Sequence, residues 1–429
     1  MDIFKEYDIR GIYPEELNRE KAERIAKAIG TITQDETIFI GHDNRFGSLE
    51  INEYVKQGLA STGKMVVELG LVPVMLPAFA SYTKKASAIS ITASHNPAKY
   101  TGILLYKNGV TITPERIKEA YDSAQFAQGK GAHGNADLVP AYLEYVTKGM
   151  PKLDLKIGVD TMGGATTHIA RQLFEKLEAE PVMLHANFDS EFFGKTPEPN
   201  KESAKELGKL VSESGLDFGA QLDGDGDRVA FVDEHGNYVD PMNIAMIFIK
   251  YLGFKKVLAT VACSRKLEKF ASITYSQIGR PYMEAQMLKG GFDMGVETSL
   301  HIYFGAYYPF SDGLLATALM AKVLQSTGKS LSRLVSEFPK VFFGEFSIQI
   351  DNEEEKQRIM TRIEEAAQAH GKIDKTDGIK ILLQDGFLLF RKSKTEPKIR
   401  AYYEGADESS FRSQERLAHE ILERASSEV

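Results

Sequence analysis

The sequence predicts an α/β protein of four domains, on three observations. Apolar strand patterns alternate with amphipathic helical patterns along most of the chain, which implies parallel strands with helices layered on sheets. From residue 342 onward the pattern changes to alternating strands joined by a hairpin beside charged helices, an α+β arrangement. At 429 residues the chain is too long for a single core and predicts two to four domains.

Residues 18–30 read as an amphipathic helix with Gly30 as its C-cap. Residues 37–40 form a short apolar strand, followed by the polar turn Gly41-His42-Asp43-Asn44-Arg45. A helix over 48–62 and strands over 65–69 and 86–92 come next. Ser94 lies just past the last of these, where ligands sit in such sheets. Residues 127–136 are the most linker-like stretch and set the first domain at 1–135.

A second strand-helix series opens at 155 and includes strands at 181–185 and 217–222, the last running straight into Asp223. It defines a domain at 136–240. After Asp240-Pro241 come a helix at 242–252, a strand at 256–262 and the loop at Glu297, giving a third domain at 241–341. In the fourth, 342–429, residues 345–350 alternate like a solvent-facing strand, 353–370 form a charged helix, and 382–390 form a hairpin with an Asp385-Gly386 turn. Each domain carries one polar loop, which places a site in a shared central cleft. The first three series have the order of structural repeats, without visible sequence identity.

Composition narrows the function. With 43% hydrophobic and 26% charged residues, the chain is ordinary for a soluble globular protein. A net charge of −8 argues against a general nucleic-acid binder, while local basic clusters still serve small anions. The single cysteine, Cys263, excludes an internal disulfide, and its place after an apolar run points to packing. No apolar run approaches the ~18 residues that span a bilayer, and the first residues lack a signal-peptide pattern. The expectation is a cytoplasmic protein with no membrane or nucleic-acid partner.

Four segments carry chemistry. Ser94 stands in Thr92-Ala93-Ser94-His95-Asn96-Pro97. A serine needs a base or a metal to act as a nucleophile, and the segment lacks the Gly-x-Ser-x-Gly elbow of hydrolases. Neighbouring side chains in an extended turn point apart, so a Ser94–His95 protease pair is not expected. Asp223, Asp225 and Asp227 alternate with glycines and can gather around one hard cation, leaving room for a phosphate oxygen. A calcium EF-hand is disfavoured because its required sixth-position glycine is Arg228 and the flanks read as strands. Arg228 suits phosphate or hydroxyl contact. In an extended segment Glu297, Ser299 and His301 would face one side, as a reader of sugar hydroxyls. Residues 391–400 collect Arg391, Lys392, Ser393, Lys394, Thr395, Lys398 and Arg400, a cluster suited to phosphate.

In this order and spacing, together with Tyr7-Asp8-Ile9-Arg10-Gly11, the segments resemble the α-D-phosphohexomutase superfamily, which includes phosphoglucomutases and phosphomannomutases. The resemblance covers essentially the whole chain. It implies three related α/β mixed-sheet domains and a C-terminal α+β domain around a central cleft. It implies that Ser94 is a phosphoserine, and that Asp223, Asp225 and Asp227 hold Mg²⁺ together with its phosphate. Glu297 and Ser299 would bind sugar hydroxyls, and Arg391, Ser393, Thr395 and Arg400 the phosphate not in flight. The implied reaction moves a phosphoryl group between positions 1 and 6 of mannose or glucose phosphate through a hexose 1,6-bisphosphate. The implied partner is a small sugar phosphate, on a monomer or homodimer. Ser299-Leu300-His301 resembles bacterial phosphomannomutases more than glucosamine-type enzymes.

Three positions depart from the family pattern. Leu104 stands where a lysine near the phosphate is common, so His95, Arg10 or a residue such as Arg280 must supply its charge. Lys394 replaces a glycine in the phosphate cluster, and Leu300 replaces a small residue. These departures bear on substrate and turnover rather than on fold. They leave two alternatives: a mutase for glucosamine or pentose phosphate, or a sugar-phosphate-binding relative with weakened catalysis.

Overall fold

The computed structural model describes residues 2–393 and 397–427. Four sheets follow one another along the chain. The first has seven strands; on its main path Ile9–Ile12, Tyr100–Lys107, Ser87–Ile91, Thr37–His42, Met65–Leu71 and Ala132–Asn135 lie side by side. The second runs Tyr238–Val239, Val229–Val232, Phe218–Leu222, Lys156–Asp160, Glu180–Leu184. The third runs Ser272–Ser276, Lys256–Thr260, Met294–Val296, Ile302–Phe304, Tyr308–Ser311. The fourth is wholly antiparallel, with Phe342–Gln349 at one edge and Lys372–Asp374 at the other.

The first three sheets share one plan. Three parallel strands are followed by an antiparallel partner of the third. The loop joining that pair is, in turn, 92–99, 223–228 and 297–301. The three sequence-predicted loops of these domains are therefore equivalent points of a repeated topology, at the carboxyl edge where α/β sheets bind ligands. The sheets are mixed rather than purely parallel, because each loop turns the chain straight back.

Local sequence explains the helices. Asn18 caps Arg19–Ile32 by accepting a hydrogen bond from the Lys21 amide, and Ala22, Ile25, Ala26 and Ile29 bury one stripe. The helix does not stop at Gly30. That glycine is buried inside it, where a Cβ would meet Thr62 Oγ1 at 2.1 Å, so it serves close packing and not capping. Residues 127–136 are not a plain linker: Ala132–Asn135 pairs in parallel with Met65–Leu71 at the sheet edge. The C-terminal hairpin turns through Gln384-Asp385. Gly386 already leads the return strand, at φ 147°, with Glu404 O only 1.8 Å from where a Cβ would be.

One contiguous apolar core joins the three α/β domains, from Met75 and Phe79 through Phe174 and Phe218 to Phe248 and Leu319. Its members include the helix Met75–Lys84, which the sequence reading had not placed. The fourth domain has its own core around Ile359, Ile381 and Leu422. It meets the third through a small seam of Val261, Ala262, Phe387, Leu389 and Tyr402. No helix among the described residues is long and apolar enough to cross a membrane. Cys263 is buried and donates to Val296 O, a packing position.

Candidate active site

Three glycine-spaced aspartates need a backbone that can double back within a few residues. Gly226 supplies it at φ 88°, and Asp223 Oδ1 closes the loop by accepting from the amides of Gly226 (2.9 Å) and Arg228 (3.1 Å). The carbonyls of the same loop are tied outward. Ala165 donates to Gly224 O, Val74 to Asp225 O, Gly313 to Gly226 O, and the Ser311 hydroxyl to Asp227 O. Three domains thus fix one loop.

Ser94 meets it head on. Its hydroxyl donates to Asp223 Oδ2 at 2.8 Å, and Thr92 Oγ1 donates to Asp225 Oδ2 at 2.9 Å. A Cβ on Gly224 would lie 2.8 Å from Ser94 O, so only glycine permits this approach. Ser94 holds φ at 51°, a left-handed value that costs a non-glycine residue about 1 kcal/mol. That conformation also swings its Oγ to 3.3 Å from His95 Nδ1, a proximity the extended-turn reading did not expect. Arg45, paired with the Asp43 carboxylate, donates to Ser94 O and Pro97 O and clamps the turn.

The aspartates are fully buried, and one oxygen from each lies within 4.8 Å of the other two; among the described residues no other such acidic cluster occurs. Burial and then Asp227 push the Asp225 carboxyl up to about 7. Burial, with Asp225 and Asp227 beside it, pushes Asp223 well up. Burial acts on Asp227 in the same sense, but His301 and Arg280 outweigh it and hold that carboxyl low. Asp225 Oδ1 is buried without a hydrogen-bond partner among the described residues. Unpartnered, mutually repelling carboxylate oxygens are the donor set of a hard divalent cation, so these residues fit one.

Cationic side chains surround the serine. Arg10 pairs with Asp8, and Arg228 lies 3.8 Å from Glu198, yet the Nε–H of each is buried without an acceptor among the described residues. Both charges act on His95. Burial first, then Arg228 and Arg10, hold its imidazole well below the ordinary range, so it is neutral at pH 7.

The third loop is a tight turn rather than an extended segment. Leu300 takes φ 72°, the Leu300 amide donates to Glu297 O, and the Glu297 amide donates to His301 O. The turn gathers its three side chains: His301 Nδ1 lies 3.0 Å from Ser299 Oγ and 3.5 Å from Glu297 Oε1. Tyr303 donates to Glu297 at 2.7 Å. His301 Nε2 is 3.3 Å from Asp227 Oδ1, and Arg228 and His301 form an isolated antiparallel bridge, so the second and third loops join backbone and side chain.

The fourth segment is not one loop. Arg391 and Arg400 lie on adjacent strands as register partners, with Ser393 just beyond the first strand. Thr395 and Lys394 lie outside the described residues. Arg391 donates to Asp377 Oδ2 at 2.7 Å and reaches Tyr7 Oη and Ile278 O at 3.4 Å. Arg400 lies 4.0 Å from Glu345. Sequence reasoning assigned no role to Thr92, Arg45 or Asp377. Arg45 lies in the polar turn Gly41–Arg45 and Thr92 in the motif that carries Ser94; Asp377 offers no local signal.

Four family models match in succession: phosphoglucomutase/phosphomannomutase alpha/beta/alpha domain I over residues 1–128, domain II over 140–236, domain III over 240–342, and the C-terminal domain over 348–423. A phosphoglucomutase/phosphomannomutase of Thermococcus kodakarensis is 30% identical over 99% of both chains. A phosphopentomutase of the same organism is 29% identical over 95% of each. The crystal structure of a phosphoglucomutase/phosphomannomutase family protein from Burkholderia thailandensis superposes with a TM-score of 0.91 at 25% identity, covering 99% of this chain and 97% of that one.

Proposed function

The chain belongs to the phosphoglucomutase/phosphomannomutase family and is a sugar-phosphate mutase, and from that premise we propose that it moves a phosphoryl group between the 1- and 6-oxygens of mannose or glucose phosphate by way of Ser94. The observation that carries this reading is the Ser94 hydroxyl bonded at 2.8 Å into a buried cluster of three carboxylates.

In the proposed cycle Ser94 carries a phosphoryl group. The bond from phosphorus to Ser94 Oγ breaks as one forms to the free hydroxyl of the bound sugar phosphate, and the hydroxyl proton passes to a base in the site. The resulting hexose bisphosphate reorients, its other phosphorus–oxygen bond breaks as a new one forms to Ser94 Oγ, and the base returns the proton to the freed sugar oxygen, releasing the isomer. Asp223, Asp225 and Asp227 would hold Mg²⁺, which when bound neutralises charge on the group in transfer. Arg10 and Arg228, whose buried Nε–H groups have no acceptor among the described residues, would donate to phosphate oxygens. His95, whose Nδ1 lies 3.3 Å from Ser94 Oγ, is the base we assign to the hydroxyl proton. Glu297, Ser299 and His301 meet the sugar hydroxyls. Arg391, Ser393, Thr395 and Arg400 hold the phosphate that stays attached.

The test is interconversion of mannose and glucose 1- and 6-phosphates with Mg²⁺ and a trace of hexose 1,6-bisphosphate, beside the intact mass of the chain. Turnover with a one-phosphate mass increment, both lost in Ser94→Ala, is the expected result. Turnover in Ser94→Ala at the wild-type rate would sink the mechanism. The phosphopentomutase relative supports a second reading with a pentose phosphate as substrate. A preferred kcat/KM for that sugar in the same panel would select it.

A further inference from the structure

Arg280 opens the helix Arg280–Gly290 in the third domain, and no part of the cycle above uses it. Its guanidinium is largely buried and pairs through Nη1 with Asp227 Oδ2. One turn on, Glu284 Oε1 lies 3.6 Å from Arg280 Nε, and Glu284 Oε2 accepts the Thr111 amide of the first domain at 2.5 Å. The guanidinium carbon sits 5.3 Å over the Phe310 ring, which meets Tyr106 edge-on at 5.6 Å. Arg280 is therefore held from the second domain, from its own helix and from an aromatic floor. Such a cation is placed, not solvated.

The charges set its task. With a divalent cation bound, the carboxylates at 223, 225 and 227 would carry three negative charges against its two positive ones. Arg45 is committed to Asp43, Arg10 pairs with Asp8, and Arg228 faces Glu198. His301 faces the other oxygen of Asp227 and is charged only when protonated. Of these cations, Arg280 is the one whose permanent charge forms a direct ion pair with a carboxylate of the triad. We propose that Arg280 is the built-in counter-charge of the aspartate loop, making it neutral once a divalent cation binds and leaving it receptive to a dianionic phosphoryl group. It acts through Asp227 and is a positioning residue. The same placement would supply a cation near position 104, since Leu104 and Tyr106 share one face of the strand Tyr100–Lys107 and Tyr106 meets the Phe310 ring that lies under Arg280.

The metal-binding arm of the test stands without the mutase reading; only the kinetic arm rests on it. Arg280→Gln, compared with wild type, is expected to lower kcat by at least about tenfold with KM within about threefold. Without substrate it should bind Mn²⁺ as tightly as wild type or more tightly, because it leaves an extra negative charge on the loop. A residue that only holds the fold together would give weaker Mn²⁺ binding instead. Arg280→Lys should keep kcat within about tenfold. Leu104→Lys added to Arg280→Gln should recover about fivefold of the lost kcat by restoring a cation from the facing wall. Wild-type kcat in Arg280→Gln, or Mn²⁺ affinity weakened about tenfold, overturns the proposal. If Arg280→Gln does not fold, Arg280→Lys decides, and a loss beyond about a hundredfold counts against a charge role. No turnover by the wild-type chain on any sugar phosphate would instead defeat the mutase reading.

Discussion

At the scale of single residues, the site is a store of unfavourable charge that a ligand relieves. Asp225 makes this measurable. Burial and Asp227 raise its carboxyl to about 7 from an ordinary 3.8, so the folded chain keeps a proton that the unfolded chain releases. A raised carboxyl costs stability progressively as pH climbs from about 4 to about 7, and the full cost remains above that. Asp225→Asn removes the cost. Metal-free Asp225→Asn is therefore expected to be more stable than wild type by about 2–4 kcal/mol at about pH 8, and by far less at about pH 4.5. Mg²⁺ should raise the melting temperature of wild type and not of the variant. Equal stability of the two proteins at both pH values would show that the carboxylates do not repel. The aspartates and Ser94 were legible in the sequence because each stands in a short polar motif. Asp377 was harder to read, since a lone polar residue gives no local sign of the distant partner it meets on folding, and Arg280, a candidate cation from the sequence, gave no sign that Asp227 is its partner.

At the scale of elements, packing rather than local propensity decides where glycine goes. Gly58 lies within the helix Ser48–Ala60, where a Cβ would come 2.5 Å from Ala26 Cβ and 2.7 Å from Glu23 O on the facing helix. Helical propensity alone favours alanine there by about 1 kcal/mol. The close approach reverses the sign: Gly58→Ala is expected to destabilise the protein by about 1–3 kcal/mol in chemical denaturation, while kcat of the folded protein stays near wild type. A neutral or stabilising result would mean that the two helices can move apart freely. Gly30 teaches the same lesson from the reading of the chain. A glycine before Thr31 looks like a helix end, yet the helix continues to Ile32 because the space is needed by Thr62. Strands with strong alternation or apolar runs, such as Lys156–Asp160 and Phe218–Leu222, were found close to their observed limits. Ala132–Asn135 was not, since an exposed Ala-His-Gly-Asn edge strand owes its conformation to pairing with Met65–Leu71.

At the scale of the whole molecule, one apolar core joins the three α/β domains, the first of which has a second core around Ile25 and Ile38, whereas the phosphate-cluster arginines ride on a domain whose main core is separate. The segment Ile278-Gly279-Arg280 is where all four domains meet. Tyr7 of the first domain donates to Ile278 O at 2.9 Å, and Arg280 pairs with Asp227 of the second. Asp377 of the fourth accepts the Ile278 amide at 2.9 Å on the same oxygen that binds Arg391. Asp377 thus both aims Arg391 and latches the fourth domain to the third. Because the seam and both cores are independent of it, Asp377→Ala is expected to leave the melting temperature within a few degrees of wild type. The same variant should raise KM for the sugar phosphate about tenfold and change kcat less than about threefold, since the lost contacts aim the distal phosphate clamp rather than the reacting group. Its radius of gyration in small-angle scattering without substrate should increase as the fourth domain swings out. Asp377→Asn, which keeps an acceptor for the Ile278 amide and loses the charge on Arg391, should fall between. If Asp377→Ala keeps both the compact radius and the wild-type KM, the apolar seam and the polar contacts beside it, such as Lys380 to Val261 O, hold the domain closed, and the latch at Ile278 is incidental to closure.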